Sequence, residues 1–477
     1  MQFVKSLSTV GYAGFRGSTQ IDPIWNAYLL ALVLEVAPAI ESARIPTTKD
    51  IVFSYRFRPD KTENTLFDPD LGWGPYHQHA LACSKATHYV VATDISDFYP
   101  RVYHHRLENA LGLATDNSEV VRRIMNILTS LSSGTSYGLP IGGQAARILA
   151  ELVLNRTDLL LAASGIQFSR FVDDYLIYTD SRESAQSALV ELSETLLTNE
   201  GLTLSRAKTR VMTSSEFARS SPLAMPDTAD SEDESSTRQF LQIRLKFDPY
   251  SPSADNDYEE LKDELKKFNI MTMLTREIRK SRVDEIVVRQ LVKSLRFLEA
   301  PVRNDAVISI IKNMEALYPV FPTVAIMLRQ LTPDLPADVI TTVHDTLRQL
   351  IQHKSHITAV PANMAYAIRL LAYDRNEETD VLFINLYQRL HTDMMLKRDI
   401  ILAMARRRVH YWLSKVMKQY AVLTPWERRA LLIASYVLRD EGKHWRNHVR
   451  QQMHETERKF MQWVANKNSG RQWEIPL

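Results

Sequence analysis

Three aspartates set the chemistry this chain could perform. Asp173 and Asp174 stand side by side in "FVDDYLIY", and Asp94 closes an apolar run in "HYVVATDISDFY". Adjacent carboxylates repel unless a hard cation lies between them and something both serve. A plain hairpin turn is the other reading, because Asp favours turns and Val172, Tyr175, Ile177 and Tyr178 suit flanking strands. If the strand ending at Asp94 neighbours the one at Asp173, three carboxylates meet at one sheet edge. Such a set is unstable alone and suits two divalent cations about 3.5–4 Å apart, the arrangement of in-line phosphoryl transfer. "GLPIGGQ", Gly138 to Gln144, adds glycines ahead of a helix. They let backbone N–H groups approach a phosphate or base, although a structural turn reads the same way.

The elements that must hold these residues follow from hydrophobic period and punctuation. A helix is expected at about 22–41, a strand in "KDIVFSYRF", a strand through Asp94 and a helix at about 117–131. After the glycine loop, "AARILAELVLNRTDLLLAA" reads as a helix, "QFSRFVDDYLIYTD" as a hairpin and "RESAQSALVELSETLLTNEG" as a helix. "RVMTSSEF" reads as a strand, "DTADSEDESS" (227–236) as a mobile acidic loop and "RQFLQIRLKFDPY" as a returning strand. Strands interleaved with helices describe an α+β core. Twelve of the 14 glycines precede residue 202, so the second half is expected to be helical. There "VDEIVVRQLVKSLRFLEA" carries one apolar stripe, and "TPWERRALLIASYVLRDEG" opens with Thr424, Pro425 and Glu427 as a capping box and should stop near Gly442. The expected division is residues 1–250 and an irregular all-α helical repeat at 251–477.

Composition excludes several classes. The chain has 477 residues and one cysteine, Cys83, which rules out an internal disulfide and a cysteine-rich zinc site. That suits a reducing cytoplasm. "MQFVKSLS" is not a secretory signal, and "AYLLALVLEVAPAI" carries Glu35 and reads as a core helix, so no membrane is expected. Residues 251–477 hold 35 Lys and Arg against 27 Asp and Glu, a net +8, whereas the first 250 are net −6. A basic half suits a polyanion, and so does a solvated helix surface.

Taken in order, "DISDFY", "GLPIGG", "FVDD" and "EGLTLSRAKTRV" resemble motifs A to D of the reverse transcriptases. The wider phrases "DFYPRVYHHRLENAL" and "GLPIGGQAARILAELVL" resemble the bacterial abortive-infection (Abi) reverse transcriptases carried by P2-like prophages. The resemblance implies fingers and palm without a conventional thumb, followed by a HEAT-like helical array. It implies two Mg²⁺ ions, with Mn²⁺ as an alternative, held by Asp94, Asp173, Asp174 and the Ile95 carbonyl. Tyr99 resembles the steric gate that selects deoxynucleotides, and Lys208 the lysine that protonates pyrophosphate. Arg56, Arg58 and Lys61 sit where fingers hold the triphosphate. Asp97 and Phe98 either flank the triphosphate or cap a helix and pack.

Ile141 and Gly142 lie where many template-copying relatives carry Gln-Gly. Ile141 cannot make the glutamine's hydrogen bonds near the nascent pair, which agrees with the protein-primed, untemplated synthesis that the Abi resemblance implies. Tyr12, in the flexible-looking "TVGYAGFRGS", and Tyr28 are the candidate priming hydroxyls. Arg406, Arg407, Arg408, Lys415 and Lys418, set among Trp412 and Trp426, read as a path for single-stranded product by charge and stacking, or as a charged outer face over a core. The expected partners are dNTPs, covalently attached DNA and further copies of the chain in a trimer or hexamer. A templated enzyme with an accessory domain, and a helical scaffold with a vestigial polymerase fold, are the other readings.

Overall fold

Antiparallel strands of β-branched and aromatic residues frame the aspartates. The computed structural model describes residues 2–12, 14–221, 232–243, 245, 254–391, 393–469 and 474–477. In chain order the first elements are β1 (Phe3–Val10), β2 (Gly14–Ile21), α1 (Pro23–Ala43), β3 (Phe57–Asp60), β4 (Thr65–Phe67), α2 (Trp73–Ala86), β5 (Tyr89–Asp94) and α3 (Phe98–Arg101). Then come α4 (His104–Ala114), α5 (Ser118–Leu131), α6 (Gln144–Ala163), β6 (Gln167–Phe171), β7 (Asp174–Thr179), α7 (Arg182–Glu200), β8 (Arg210–Thr213) and α8 (Ser214–Ser220).

The chain divides into two compact units, Met1–Phe3 with Ser18–Asp230, and Val4–Gly17 with Ser231–Leu477. The glycine distribution placed the division at 250/251; the structure gives the second unit an N-terminal hairpin and an earlier start.

In the first unit a four-stranded sheet has the order β6-β7-β5-β8. β5 pairs antiparallel with β7 from Tyr89↔Thr179 to Asp94↔Asp174. This register sets two of the three aspartates directly opposite one another. Helices α1, α6 and α7 cover the sheet through one core that includes Leu29, Val33, Val91, Leu149, Ile177 and Leu192. Asp22 accepts the Ile24 N–H at 3.1 Å and Pro23 opens α1, so that helix starts where its backbone donors are satisfied. α1 is the one helix among the described residues long and apolar enough to cross a membrane, and Leu29, Val33, Val36 and Ile40 on it are buried in this core. α7 starts at a Ser181–Ser184 capping box and ends at Gly201, whose φ of +67° suits glycine.

Three expectations are corrected here. "KDIVFSYRF" is not a strand: only Val52 bridges to Arg170, and β3 begins at Phe57. "RVMTSSEF" is a strand only to Thr213, where a capping box with Glu216 starts α8. Outside Ala13, which is not among the described residues, "TVGYAGFRGS" belongs to the β1–β2 hairpin rather than to a loop without regular structure.

Between Glu232 and Asn468 the described residues of the second unit are helical apart from short connections, with one large apolar core. Residues 232–242 form a helix, which overturns the acidic loop for 232–236 and the returning strand for 238–242. Residues 227–231, 244 and 246–250 of those two expectations lie outside the described residues. The Thr424 capping box is present. Gly442 does not end that segment; it sits inside the helix Arg439–Val449, where an added Cβ would lie 1.7 Å from the Ser435 carbonyl oxygen. A glycine is required there by close approach rather than by a turn.

Candidate active site

The β5–β7 register delivers Asp94 and Asp174, and the turn between β6 and β7 delivers Asp173. Carboxylate oxygens of the three lie within 4.8 Å of one another, the one such acidic group found among the described residues. Asp94 is buried at the strand end and Asp174 is exposed. The Ile95 N–H donates to the Asp173 carbonyl at 3.1 Å, tying the two acidic segments together. Hard oxygen donors at this spacing fit a divalent cation.

The segment after α7 closes the other side. Ser205 N–H donates to the Asp94 carbonyl at 2.7 Å, and Ser96 N–H to the Thr203 carbonyl at 2.8 Å. This backbone stitching sets Lys208 Nζ 2.6 Å from Asp94 Oδ2. Against desolvation, Asp94, Asp174 and Asp173 hold the Lys208 ammonium above its ordinary range. The Asp174 carboxyl is pushed up to about 7, first by desolvation, then by Asp173 and Asp94, with Lys208 opposing. A raised carboxyl binds its proton in the folded state at pH values where the unfolded chain has released it. Stability in the absence of cations therefore falls as pH rises from about 4 to about 7. A cation must displace that proton below pH 7 but not above it. The gain in Tm from a saturating divalent salt is accordingly expected to be larger at pH 8 than at pH 6, as differential scanning fluorimetry at matched ionic strength would read it.

The glycine loop is held to the α3 turn by its own backbone. Leu139 N–H donates to the Tyr99 carbonyl at 2.8 Å and Gly138 N–H to the Val102 carbonyl at 2.9 Å. Gly138 has φ +103°, and an added Cβ would touch the Pro100 carbonyl at 3.4 Å. Buried His104 adds a bond from Nε2 to the Gly138 carbonyl oxygen at 2.9 Å. Tyr99 is thereby fixed beside the loop, with its hydroxyl pKa raised by burial first and then by Tyr55, Glu151 and Asp173, against Arg147. Gly142 has φ +115°, while Ile141 is half-buried in the same loop.

Other expected residues divide. Asp97 is exposed, with no side-chain cap bond to α3, and Phe98 is 2 % exposed in the core, so it packs and offers no face to a nucleotide. Arg56 is also turned inward, 2.6 Å from Glu41. Arg58 is exposed and pairs with Asp68 at 3.0 Å; Lys61 is exposed on the turn after β3. Tyr28 is 37 % exposed and its hydroxyl accepts from Arg123 at 3.3 Å.

In the second unit, Tyr12 donates its hydroxyl to the Ala316 carbonyl at 2.6 Å and accepts from Val283 N–H at 3.0 Å. The stacking path is corrected: Trp412 and Trp426 are core residues, 5 % and 2 % exposed, and cannot receive bases. Arg407 pairs with Asp380 at 2.5 Å and Arg406 with Glu474 at 3.1 Å, leaving Arg408, Lys415 and Lys418 as exposed charges of that set.

Residues 36–245 match the family model for reverse transcriptase (RNA-dependent DNA polymerase). The chain carries a reverse transcriptase domain. No curated protein matches the chain. Similar solved structures include a telomerase from Candida albicans with a fragment of telomeric RNA, 11% identical with a TM-score of 0.33, covering 76% of this chain and 66% of that one. An apo telomerase from Candida tropicalis is also 11% identical with a TM-score of 0.33, over 79% of this chain and 68% of that one. This chain thus spans about two thirds of those structures.

Sequence reasoning passed over residues that build this reverse transcriptase domain's site. Arg147, in the first turn of α6, stands 4.8 Å from the Tyr55 ring and acts electrostatically on Tyr99. Beneath the aspartates lies a buried ionic group of Arg44, Glu151, Asp158 and Arg170. Its signal was available: Glu151, Asn155 and Asp158 recur at helical spacing on a face of α6 that is otherwise apolar.

Proposed function

We propose that this chain is an Abi-type reverse transcriptase that adds deoxynucleotides to a tyrosine hydroxyl without a template, in defence against phage. The carrying observation is the carboxylate cluster of Asp94, Asp173 and Asp174 beside Lys208 in a reverse transcriptase domain. Divalent cations bound there, Mg²⁺ or in its place Mn²⁺, would neutralise the triphosphate and activate the attacking hydroxyl. The three aspartates and the Ile95 carbonyl hold the site. Lys208 offers a proton to departing pyrophosphate, and Arg58, Lys61 and Arg147 offer charge to the triphosphate. Ile141 supports untemplated addition, since it cannot hydrogen-bond a nascent base pair. Tyr28 is the better primer of the two candidates: Tyr12 would have to give up both bonds to its hydroxyl. Attached single-stranded DNA, assembly into a trimer or hexamer, a helical-repeat second unit and a cytoplasmic location belong to the same proposal.

Tyr99, as the steric gate, gives a separate expectation. Tyr99→Ala should raise ribonucleotide over deoxynucleotide incorporation by about tenfold or more, in parallel assays with each nucleotide.

The whole proposal is tested by incubating the purified full chain with Mg²⁺ and labelled dNTPs, with neither template nor primer. A protein-linked ladder, with the label on a tyrosine peptide by mass spectrometry, supports it. Synthesis only on a supplied primer and RNA template would replace it with the templated enzyme. Phage protection that survives Asp173→Asn and Asp174→Asn would leave the scaffold reading.

A further inference from the structure

The turn that carries Asp173 is held in an unfavourable backbone conformation. Val172, between β6 and Asp173, has φ +58°. A β-branched side chain is a poor occupant of that left-handed region, where glycine costs nothing. Something must hold Val172 there, and both of its backbone groups are taken by buried side chains. Its N–H donates to Ser54 Oγ at 2.9 Å, and its carbonyl accepts from Arg170 Nη1 at 2.7 Å. Ser54 and Arg170 are each 0 % exposed.

Neither side chain is free to drift. Ser54 Oγ donates to Glu151 Oε1 at 2.6 Å, and Arg170 Nη2 lies 3.0 Å from Glu151 Oε2. Asp158 takes Arg170 Nε at 2.8 Å and Nη2 at 2.6 Å. Glu151 therefore ties the N–H clamp to the carbonyl clamp through a rigid helix, α6. The next residue in the chain is Asp173, whose own carbonyl receives the Ile95 N–H, so a change in the Val172 backbone is transmitted to Asp173 directly.

We infer that Ser54 and Arg170 are positioning residues, a two-sided clamp that holds Val172 left-handed so that Asp173 meets Asp94 and Asp174. The clamp touches no substrate and acts only through the backbone at 172. This inference rests on reading the aspartates as a cation site. It explains why a fully buried charged group lies under the turn. Directional bonds to one N–H and one carbonyl can impose a backbone angle, which apolar contacts alone do not.

The test is a double-mutant cycle read as Mn²⁺ affinity, by electron paramagnetic resonance of free Mn²⁺ with the full-length chain. Ser54→Ala is expected to weaken Mn²⁺ binding by about tenfold, because Val172 relaxes from its unfavourable φ. Val172→Gly removes the penalty, so the same Ser54→Ala change in that background should cost less than about threefold. Thermal melts establish that each variant is folded, and hydrogen exchange at the Val172 amide reports the lost bond separately; it should quicken in Ser54→Ala. Equal losses in both backgrounds, or no loss in either, would overturn the clamp. If the wild-type chain makes no DNA yet shows this coupling, the polymerase reading falls and the clamp stands. A wild-type chain that holds no Mn²⁺ would overturn the clamp and the cation site together.

Discussion

Asp173→Asn is expected to abolish nucleotide addition, by at least about a thousandfold, while leaving the fold intact. Asn keeps the shape of the side chain and loses the charge. The cluster holds three carboxylates whose oxygens come within 4.8 Å of one another, and Lys208 pairs with it through Asp94. Removing one negative charge takes away a ligand that a phosphoryl-transfer site needs. It also relieves the like-charge repulsion that, after desolvation, helps raise the Asp174 carboxyl to about 7. The variant therefore loses synthesis and, with it, the gain in Tm that saturating divalent salt gives the wild type, because only the wild type binds. Turnover of labelled dNTPs and melting curves with and without cation check both halves.

The second large effect is structural. Arg170→Met is expected to destabilise the first unit by about 3–5 kcal/mol, the usual consequence of leaving buried charge uncompensated. Arg170 is fully buried and bonds both carboxylate oxygens of Asp158, at 2.8 and 2.6 Å. Asp158 is 1 % exposed, and among the described residues its other side-chain hydrogen-bond partner is the Tyr175 hydroxyl at 3.2 Å. Burial already pushes the Asp158 carboxyl above its usual range, even with Arg170 and Arg44 lowering it. Glu151 keeps Arg44 at 2.6 Å, so the loss falls mainly on Asp158. Arg170→Met combined with Asp158→Leu should recover much of the deficit, since it removes both buried charges. Urea unfolding of the single and double variants measures the difference.

Much of the site was legible because its parts are local. An apolar run closing on Asp94, a hairpin around Asp173 and Asp174, and a glycine loop before α6 are written in residue type and period. What brings them together is not local. The pairing of Asp94 with Asp174 depends on β-sheet register, and the anchoring of the glycine loop on Leu139, Gly138 and His104 depends on backbone and buried imidazole bonds between segments.

The misreadings have the same cause. "KDIVFSYRF" has strand composition, but the Ser54 and Tyr55 carbonyls are taken by the Arg44 guanidinium at 2.9 and 3.0 Å in place of a neighbouring strand. Arginines interleaved with Trp412 and Trp426 resemble a binding face in one dimension. On a helix the same residues separate, with both tryptophans facing the core. Arg56 looked like a triphosphate ligand by position, and Glu41 on α1 turned it inward.

The most direct measurement is anomalous scattering from crystals of the full chain grown with Mn²⁺ and a non-hydrolysable deoxynucleoside triphosphate. Two peaks about 3.5–4 Å apart are expected between Asp94, Asp173 and Asp174, with the triphosphate against one of them. A triphosphate bound elsewhere, or no ion among the three carboxylates at saturating Mn²⁺, would contradict it.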